Sequence, residues 1–506
     1  MLFNSYLFIF AFLPVTIIGF ATLGQRSKRA AIGWLTLTSL IFYGYWNPPY
    51  VLVLIGSILA NYLIGRAISR EGGKTKWRVI LGVLLNLGLL FYYKYTNFFL
   101  DNVAEMTGAD WELGTILLPI GISFYTFTQI AYLIDCQRGF VREYNLLDYA
   151  LFVSFFPQLI AGPILHHKEM MPQFDQPETY RIGSSNLAIG ATIFIFGLFK
   201  KAVLADGIAV YATPLFVGAD SGLNPDFFAA WGGALAYTFQ LYFDFSGYSD
   251  MAIGLARMFG IVLPLNFASP YKSRNIVEFW RTWHMTLSRF LRDYLYISLG
   301  GNRKGNVRRY INLFLTMLLG GIWHGAGWNF AIWGALHGIY LMINHAWSGS
   351  IGRVLGPGRL VTFGAWAITF LAVVIGWVFF RAVTLDGALN VVSGMAGMNG
   401  IALPSAITAR LGGLTDIFPI STGEGGGAAF VSQWLWIIAL FLISVFAPNT
   451  QEIMRKTDPA LDFDGTLVRS RITWRPTFGW AMITALLGLI SILALTRVSE
   501  FLYFQF

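Results

Sequence analysis

Cys136 is the only cysteine in 506 residues, so no disulfide within the chain can brace the fold, and the small secreted disulfide scaffolds are excluded. Charge is also scarce, because Asp, Glu, Lys and Arg together make up 12% of the chain. Disordered chains combine low hydrophobicity with high net charge, so that class falls too. A soluble protein would have to hide a sequence that is 56% hydrophobic behind this thin polar coat, and no interior is large enough. GxSxG and HExxH are both missing, which removes the simplest serine-hydrolase and zinc-protease readings. His166 and His167 are adjacent, and no second pair stands at metal-ligand spacing, so no metal site is expected. No repeat of fixed period and no duplicated half is visible, which weakens a common secondary-transporter architecture.

What the chain does have is a series of long apolar runs separated by short charged loops. This pattern predicts an all-α, polytopic membrane protein, a single membrane domain over residues 1–506 with about eleven transmembrane helices plus re-entrant and amphipathic segments. The first apolar run lacks a basic leader and a cleavage site, so it reads as a retained span. Its following loop carries Arg26, Lys28 and Arg29, which predicts a cytoplasmic loop and an external N-terminus. Spans at about 31–46 and 50–65, about 79–99 and about 114–134 follow. A cytoplasmic loop holds Arg66, Arg70, Lys74, Lys76 and Arg78, and an acidic external one holds Asp101, Glu105, Asp110 and Glu112. Residues 146–165 are apolar but interrupted by Pro157, Gly162 and Pro163, which predicts a broken or re-entrant helix covered by protein. These belong to an N-terminal set of helices over residues 1–267.

Residues 268–310 hold nine basic residues against Glu278 and Asp293, the strongest cytoplasmic signal in the chain. Residues 311–348 then read as a hairpin or two short helices. Spans at about 361–380, 430–447 and 477–497 complete residues 349–506, whose external loop, 381–429, contains the STGEGGGAA run expected to be mobile. Near Arg353 and Arg359 the chain is expected to be cytoplasmic, as is the basic stretch from Arg455 to Arg475 that includes Arg469 and Asp464, which puts the C-terminus outside. The net charge of +9 is spread loop by loop, as orientation requires, and not gathered into a nucleic-acid face.

A histidine inside an apolar run needs a partner or a wet cavity. His324, in LLGGIWHGAGWNF, lies fourteen residues beyond Tyr310, or about 21 Å along a helix, near mid-bilayer. Gly320, Gly321, Gly325 and Gly327 surround it and permit close backbone approach or a tunnel. Two readings stand, a reactive imidazole or a satisfied core histidine among packing glycines. His284 falls in a stretch, 275–299, where aromatics alternate with Arg281, Arg289 and Arg292, which predicts an amphipathic interfacial helix. It either delivers His284 inward and its arginines to a polyanionic cosubstrate, or merely anchors the chain. The GGNRKG turn, with Arg303 and Lys304, fits a phosphate or an ordinary positive-inside loop. His337 and His345 read as structural. Asp244, Asp250 and the serines of YFDFSGYSD either line a cavity or cap and kink a helix.

The segments WHMTLSRFLRDYLYISLGG and GGIWHGAGWNFAIWGALHG resemble the membrane-bound O-acyltransferase family, in particular its bacterial branch that acetylates exported polysaccharides such as alginate. Supporting stretches are PIGISFYTFTQIAYLIDCQRG, FFPQLIAGPI, LYFDFSGYSDMAIGLARMFGI, LPLNFASPYKSRNIVEFWRTWH and the terminal FLYFQF. Residues 349–476 contribute little to the likeness. The resemblance implies a helical ring around a central funnel, with His324 as the embedded catalytic histidine and His284 as the second polar position of a catalytic core segment at 268–348.

The implied reaction moves an acetyl group from a cytoplasmic thioester, acetyl-CoA, to a hydroxyl reached from the other side of the bacterial inner membrane, with no permanently bound cofactor. Histidine suits the base that such a transfer needs. Trp323, Trp328 and Asn329 stand nearby in sequence without a donor to the oxyanion being assigned among them, and Arg289, Arg292, Arg303 and Lys304 are candidates for the donor's phosphates. With no large soluble domain, the chain is expected to work with a separate periplasmic acetyltransferase or acceptor protein, within a polysaccharide synthesis and export complex. Acyl transfer to peptidoglycan or cellulose, D-alanylation of teichoic acid, a proton-coupled transporter and a non-catalytic assembly subunit are the alternatives.

Overall fold

The computed structural model describes all residues except 72–75, 109–113, 115, 142–144, 161, 351–357, 412–419, 424–425, 464–469, 496–501 and 503–506. Lys74, Asp110, Glu112, Arg353, Asp416, Glu424, Asp464, Arg469 and all of FLYFQF but Leu502 lie outside the described residues. Among those described, helix dominates, and the apolar runs form helices, although the span expected at about 114–134 is helical only from Ile122. Among the described residues, five helices are long and apolar enough to cross a membrane: Pro49–Arg70, Lys76–Thr107, Ser184–Asp220, Arg359–Arg381 and Gly427–Phe446. Phe8–Gly24 and Phe478–Ala494 are apolar but shorter. Together they make a multi-pass membrane protein.

The chain folds into two compact units, each drawn from separate stretches of sequence, the first from Met1–Phe199, Ser246–Asn266 and Thr450–Gln505. Its interrupted segment is broken as expected. Leu146–Ser154 ends at Phe155, and a four-residue helix, Phe156–Leu159, restarts with Pro157 in its first turn, where a missing N–H costs nothing. The freed amide of Phe156 donates to Ser39 Oγ at 3.1 Å, and Phe155 and Phe156 are fully buried, so irregular backbone is satisfied and covered by protein. Asp250 takes hydrogen bonds from Thr450 Oγ1 and Gln451 Nε2, both at 2.6 Å. It therefore anchors the return of the chain into this unit. His167 is held between Asp135, at 3.3 Å, and the carbonyl of Phe140, at 3.2 Å.

The second unit comprises Lys200–Phe245 and Phe267–Asn449. Helices Gly305–His324 and Trp328–Gly349 form the expected hairpin, flanked by Arg359–Arg381. Lys201 lies in a π-helical turn between Asp244, at 2.6 Å, and Asp206, at 2.9 Å. Asp244 is thus committed to an ion pair. Within the STGEGGGAA run, Glu424 and Gly425 lie outside the described residues. Ile420–Gly423 is a strand paired in parallel with Ile401–Pro404, and Gly427 already begins a helix, because backbone pairing with Ile401–Pro404 supplies the partners that glycine-rich sequence cannot supply itself.

Candidate active site

The site is built entirely within the second unit, on the hairpin. A close backbone approach fixes it. A Cβ on Gly321 would stand 2.4 Å from the carbonyl oxygen of Phe330 and 2.8 Å from Cα of Gly334, so the two helices touch where neither has a side chain. His324 closes the first helix, not its middle, because Gly325 and Gly327 carry the chain out in extended conformation before Trp328 starts the next. Its buried ring packs edge-on against Trp323, Trp333 and Phe380, with centroids 5.0, 5.1 and 5.2 Å away.

His284 is the larger surprise. Residues 275–299 are not one interfacial helix, because Ile276–Thr282 stops at Trp283, and Met285–Phe290 restarts after His284, whose φ is +42°. Asn275 caps the first piece by accepting from the amide of Glu278 at 2.9 Å, and the carbonyl of Thr282 accepts from Ala268. In a continuous helix two successive side chains diverge by about 100°, one inward and one outward. The left-handed turn instead buries both Trp283 and His284, and the His284 ring lies 4.7 Å from Phe245 and 6.5 Å from His324. Neither an exposed nor an anchoring histidine fits that position. A non-glycine residue in this region costs about 1–2 kcal/mol, which the surrounding packing must supply.

The other expected site residues separate. Trp323 is buried beside His324. Asn329 is committed elsewhere: its Nδ2 donates to the carbonyls of Ala382 at 2.8 Å and Thr384 at 2.9 Å, so it ties the hairpin to the end of Arg359–Arg381 and is not free to meet an oxyanion. Arg289 is half-buried, whereas Arg292 is exposed and paired with its neighbour Asp293 at 2.7 Å. Arg303 and Lys304 are exposed just before the helix whose other end is His324, about 30 Å away along twenty residues, so the turn and the imidazole are not brought together. His337 lies well inside Trp328–Gly349 and is fully buried, while His345 pairs with Arg309 at 2.6 Å.

An aromatic cluster went unread in the sequence. Trp280, Trp283, Trp333, Trp377 and Phe380 pack around the histidines, with Trp333 and Trp377 stacked at 5.8 Å. The available signal was helical spacing, because Trp333 and His337 stand four residues apart on one helix face, and Trp377 and Phe380 three apart on another.

Two histidines joined in a buried aromatic pocket of a multi-pass protein match the pattern implied by the WH and WHG segments, and comparison with known sequences decides the family. The profile of MBOAT, the membrane-bound O-acyltransferase family, matches residues 105–382. The chain belongs to that family. It is 46% identical to the peptidoglycan O-acetyltransferase of Helicobacter pylori, over 80% of this chain and 81% of that protein. It is 42% identical to the probable alginate O-acetylase AlgI of Pseudomonas putida over the full length of both. A teichoic acid D-alanyltransferase of Streptococcus thermophilus is 32% identical over 46% of this chain and 58% of that protein. As a membrane-bound O-acyltransferase, this protein is an enzyme.

Proposed function

We propose that this acyltransferase moves the acetyl group of cytoplasmic acetyl-CoA to a hydroxyl presented from the periplasmic side of the inner membrane, for O-acetylation of an exported polysaccharide, alginate. The observation that carries the reading is the junction of His284 and His324 in one buried aromatic pocket. The full-length similarity to an alginate O-acetylase supports the polymer. A second reading, peptidoglycan as the acetylated polymer, is favoured by the 46% identity to the peptidoglycan O-acetyltransferase.

In this reading His324 is the general base. It takes the acceptor's hydroxyl proton as the oxygen attacks the thioester carbonyl carbon, and the carbonyl electron pair moves onto oxygen. Collapse of that intermediate re-forms the carbonyl and breaks the C–S bond, and the proton on His324 passes to the departing CoA thiolate. His284 supports His324 from 6.5 Å. The basic residues of 268–310, among them Arg289, Arg303 and Lys304, face the cytoplasm and draw in the polyanionic donor, the N- and C-termini lie outside, and about eleven crossings form a ring around the funnel. A periplasmic acetyltransferase of the export complex receives the acetyl group and completes transfer to the polymer.

The test is ester-linked acetate on the exported polymer in cells lacking the native protein and complemented with wild type or His324→Ala at equal membrane abundance. Loss of acetate with export intact is expected. Retained acetate sinks the role of His324, and loss of export itself points to transport or assembly.

A further inference from the structure

Two buried N–H groups, one on a ring that packs against His324 and one on the ring next to it, have no acceptor among the described residues. One is Nε1 of Trp333, whose ring is 1% exposed and 5.1 Å from that of His324. The other is Nε2 of His337, a fully buried residue whose ring is 4.8 Å from Trp333. That Nε2 is a donor follows from its far side. The indole N–H of Trp280 can only donate, and it meets Nδ1 of His337 at 3.2 Å, so Nδ1 accepts and the ring proton of the neutral imidazole sits on Nε2.

Both rings also lie against the same residue of the neighbouring helix. A Cβ on Gly376 would stand 2.9 Å from His337 Nε2 and 3.6 Å from Cδ1 of Trp333, the carbon bonded to its Nε1. Gly376 therefore backs both rings so closely that any side chain there would press on them. Burying even one donor without a partner is unfavourable, and two in adjoining rings, with no acceptor among the described residues, suit an oxygen acceptor supplied by a substrate.

We propose that Trp333 Nε1 and His337 Nε2 form the oxyanion site of the transfer and receive the thioester carbonyl oxygen as it gains the electron pair. The inference rests on the acetyl-transfer reading above. As the acceptor oxygen bonds to the carbonyl carbon and His324 takes its proton, negative charge grows on the former carbonyl oxygen. The two N–H groups stabilise that charge until the C–S bond breaks and the carbonyl returns. Preorganised donors act most strongly where water is excluded, and this pocket is walled by aromatic rings. Trp280 is then a positioning residue, because its hydrogen bond sets the tautomer of His337.

The decisive experiment replaces Trp333 by 3-benzothienylalanine, which keeps the ring shape and exchanges the N–H for sulfur. Initial rates of radiolabelled acetyl transfer from acetyl-CoA are measured in inverted vesicles from expressing cells, with wild type and His324→Ala alongside, per unit of protein in the membrane. The expected result is a fall in kcat of about 10²-fold with the KM for acetyl-CoA unchanged. Trp333→Phe, which also lacks the N–H, is the second variant and shares that loss. An unchanged kcat in the sulfur isostere, or a loss confined to Trp333→Phe, overturns the proposal, because the N–H then binds only a resident water or the ring only fills space. If wild type itself transfers no acetyl group, the acetyl-transfer reading has failed, an outcome distinct from an active wild type with an equally active isostere.

Discussion

A single methyl group on Gly321 probes the hairpin that carries His324. Its Cβ would stand 2.4 Å from the carbonyl oxygen of Phe330 and 2.8 and 2.9 Å from Cα and N of Gly334, whereas ordinary contact begins near 3.4 Å. All three atoms are backbone, so no rotamer change relieves the clash, and the helices must part by about 1 Å. Overpacking of this kind costs roughly 1–3 kcal/mol. A displacement of about 1 Å at the reacting groups lowers the rate on the order of 10²-fold. The same motif supplies a control in Gly327→Ala, whose Cβ meets nothing closer than Cδ2 of Phe330 at 3.5 Å. Polymer-linked acetate and the melting temperature of the detergent-solubilised protein are measured for both variants at matched expression. Gly321→Ala is expected to lose most of the acetate and to melt several degrees lower, while Gly327→Ala stays near wild type. Wild-type acetate and melting in Gly321→Ala would refute the claim that this contact sets the position of His324.

Lys201→Met leaves Asp244 and Asp206 without their buried counter-charge, a loss of about 3–5 kcal/mol, and adding Asp244→Leu is expected to restore part of it. Thermal denaturation checks this, and an equal loss in the single and double variants contradicts the coupling. His284→Gly and His284→Ala both delete the imidazole, but only glycine relieves the left-handed backbone at φ +42°. The glycine variant is therefore expected to be about 1 kcal/mol more stable than the alanine variant, with acetylation lost in both. Equal melting temperatures would show that the turn stores no strain.

Much of the fold was legible because hydropathy is a local property. The apolar runs became helices, Pro157 and its neighbours did break their segment, and residues 311–348 did form a hairpin. The continuous helix expected over 275–299 failed for a non-local reason. Helical periodicity describes a residue's neighbours three and four positions away, but burying Trp283 and His284 together depends on Phe245 and on the hairpin, which the local pattern cannot register. Asn329 misled in the same way. Its closeness to His324 in sequence suggested a donor, while its partners, Ala382 and Thr384, lie more than fifty positions on.

By itself, then, the sequence determined the solvent and the chemistry on offer. So much apolar surface with so little charge requires lipid, and a histidine among glycines in an apolar run needs a partner or a wet cavity. Which partner it finds was decided only by tertiary structure. His284 and His324 stand forty residues apart, and only the chain's packing brings their rings to 6.5 Å. The tautomer of His337 depends on Trp280, and the close backing of His337 and Trp333 depends on Gly376, residues drawn from three separate helices. Hydrogen bonds and van der Waals contacts act over a few ångströms, so they are set by which segments meet, and that follows from packing the whole unit and not from the local pattern of any one segment.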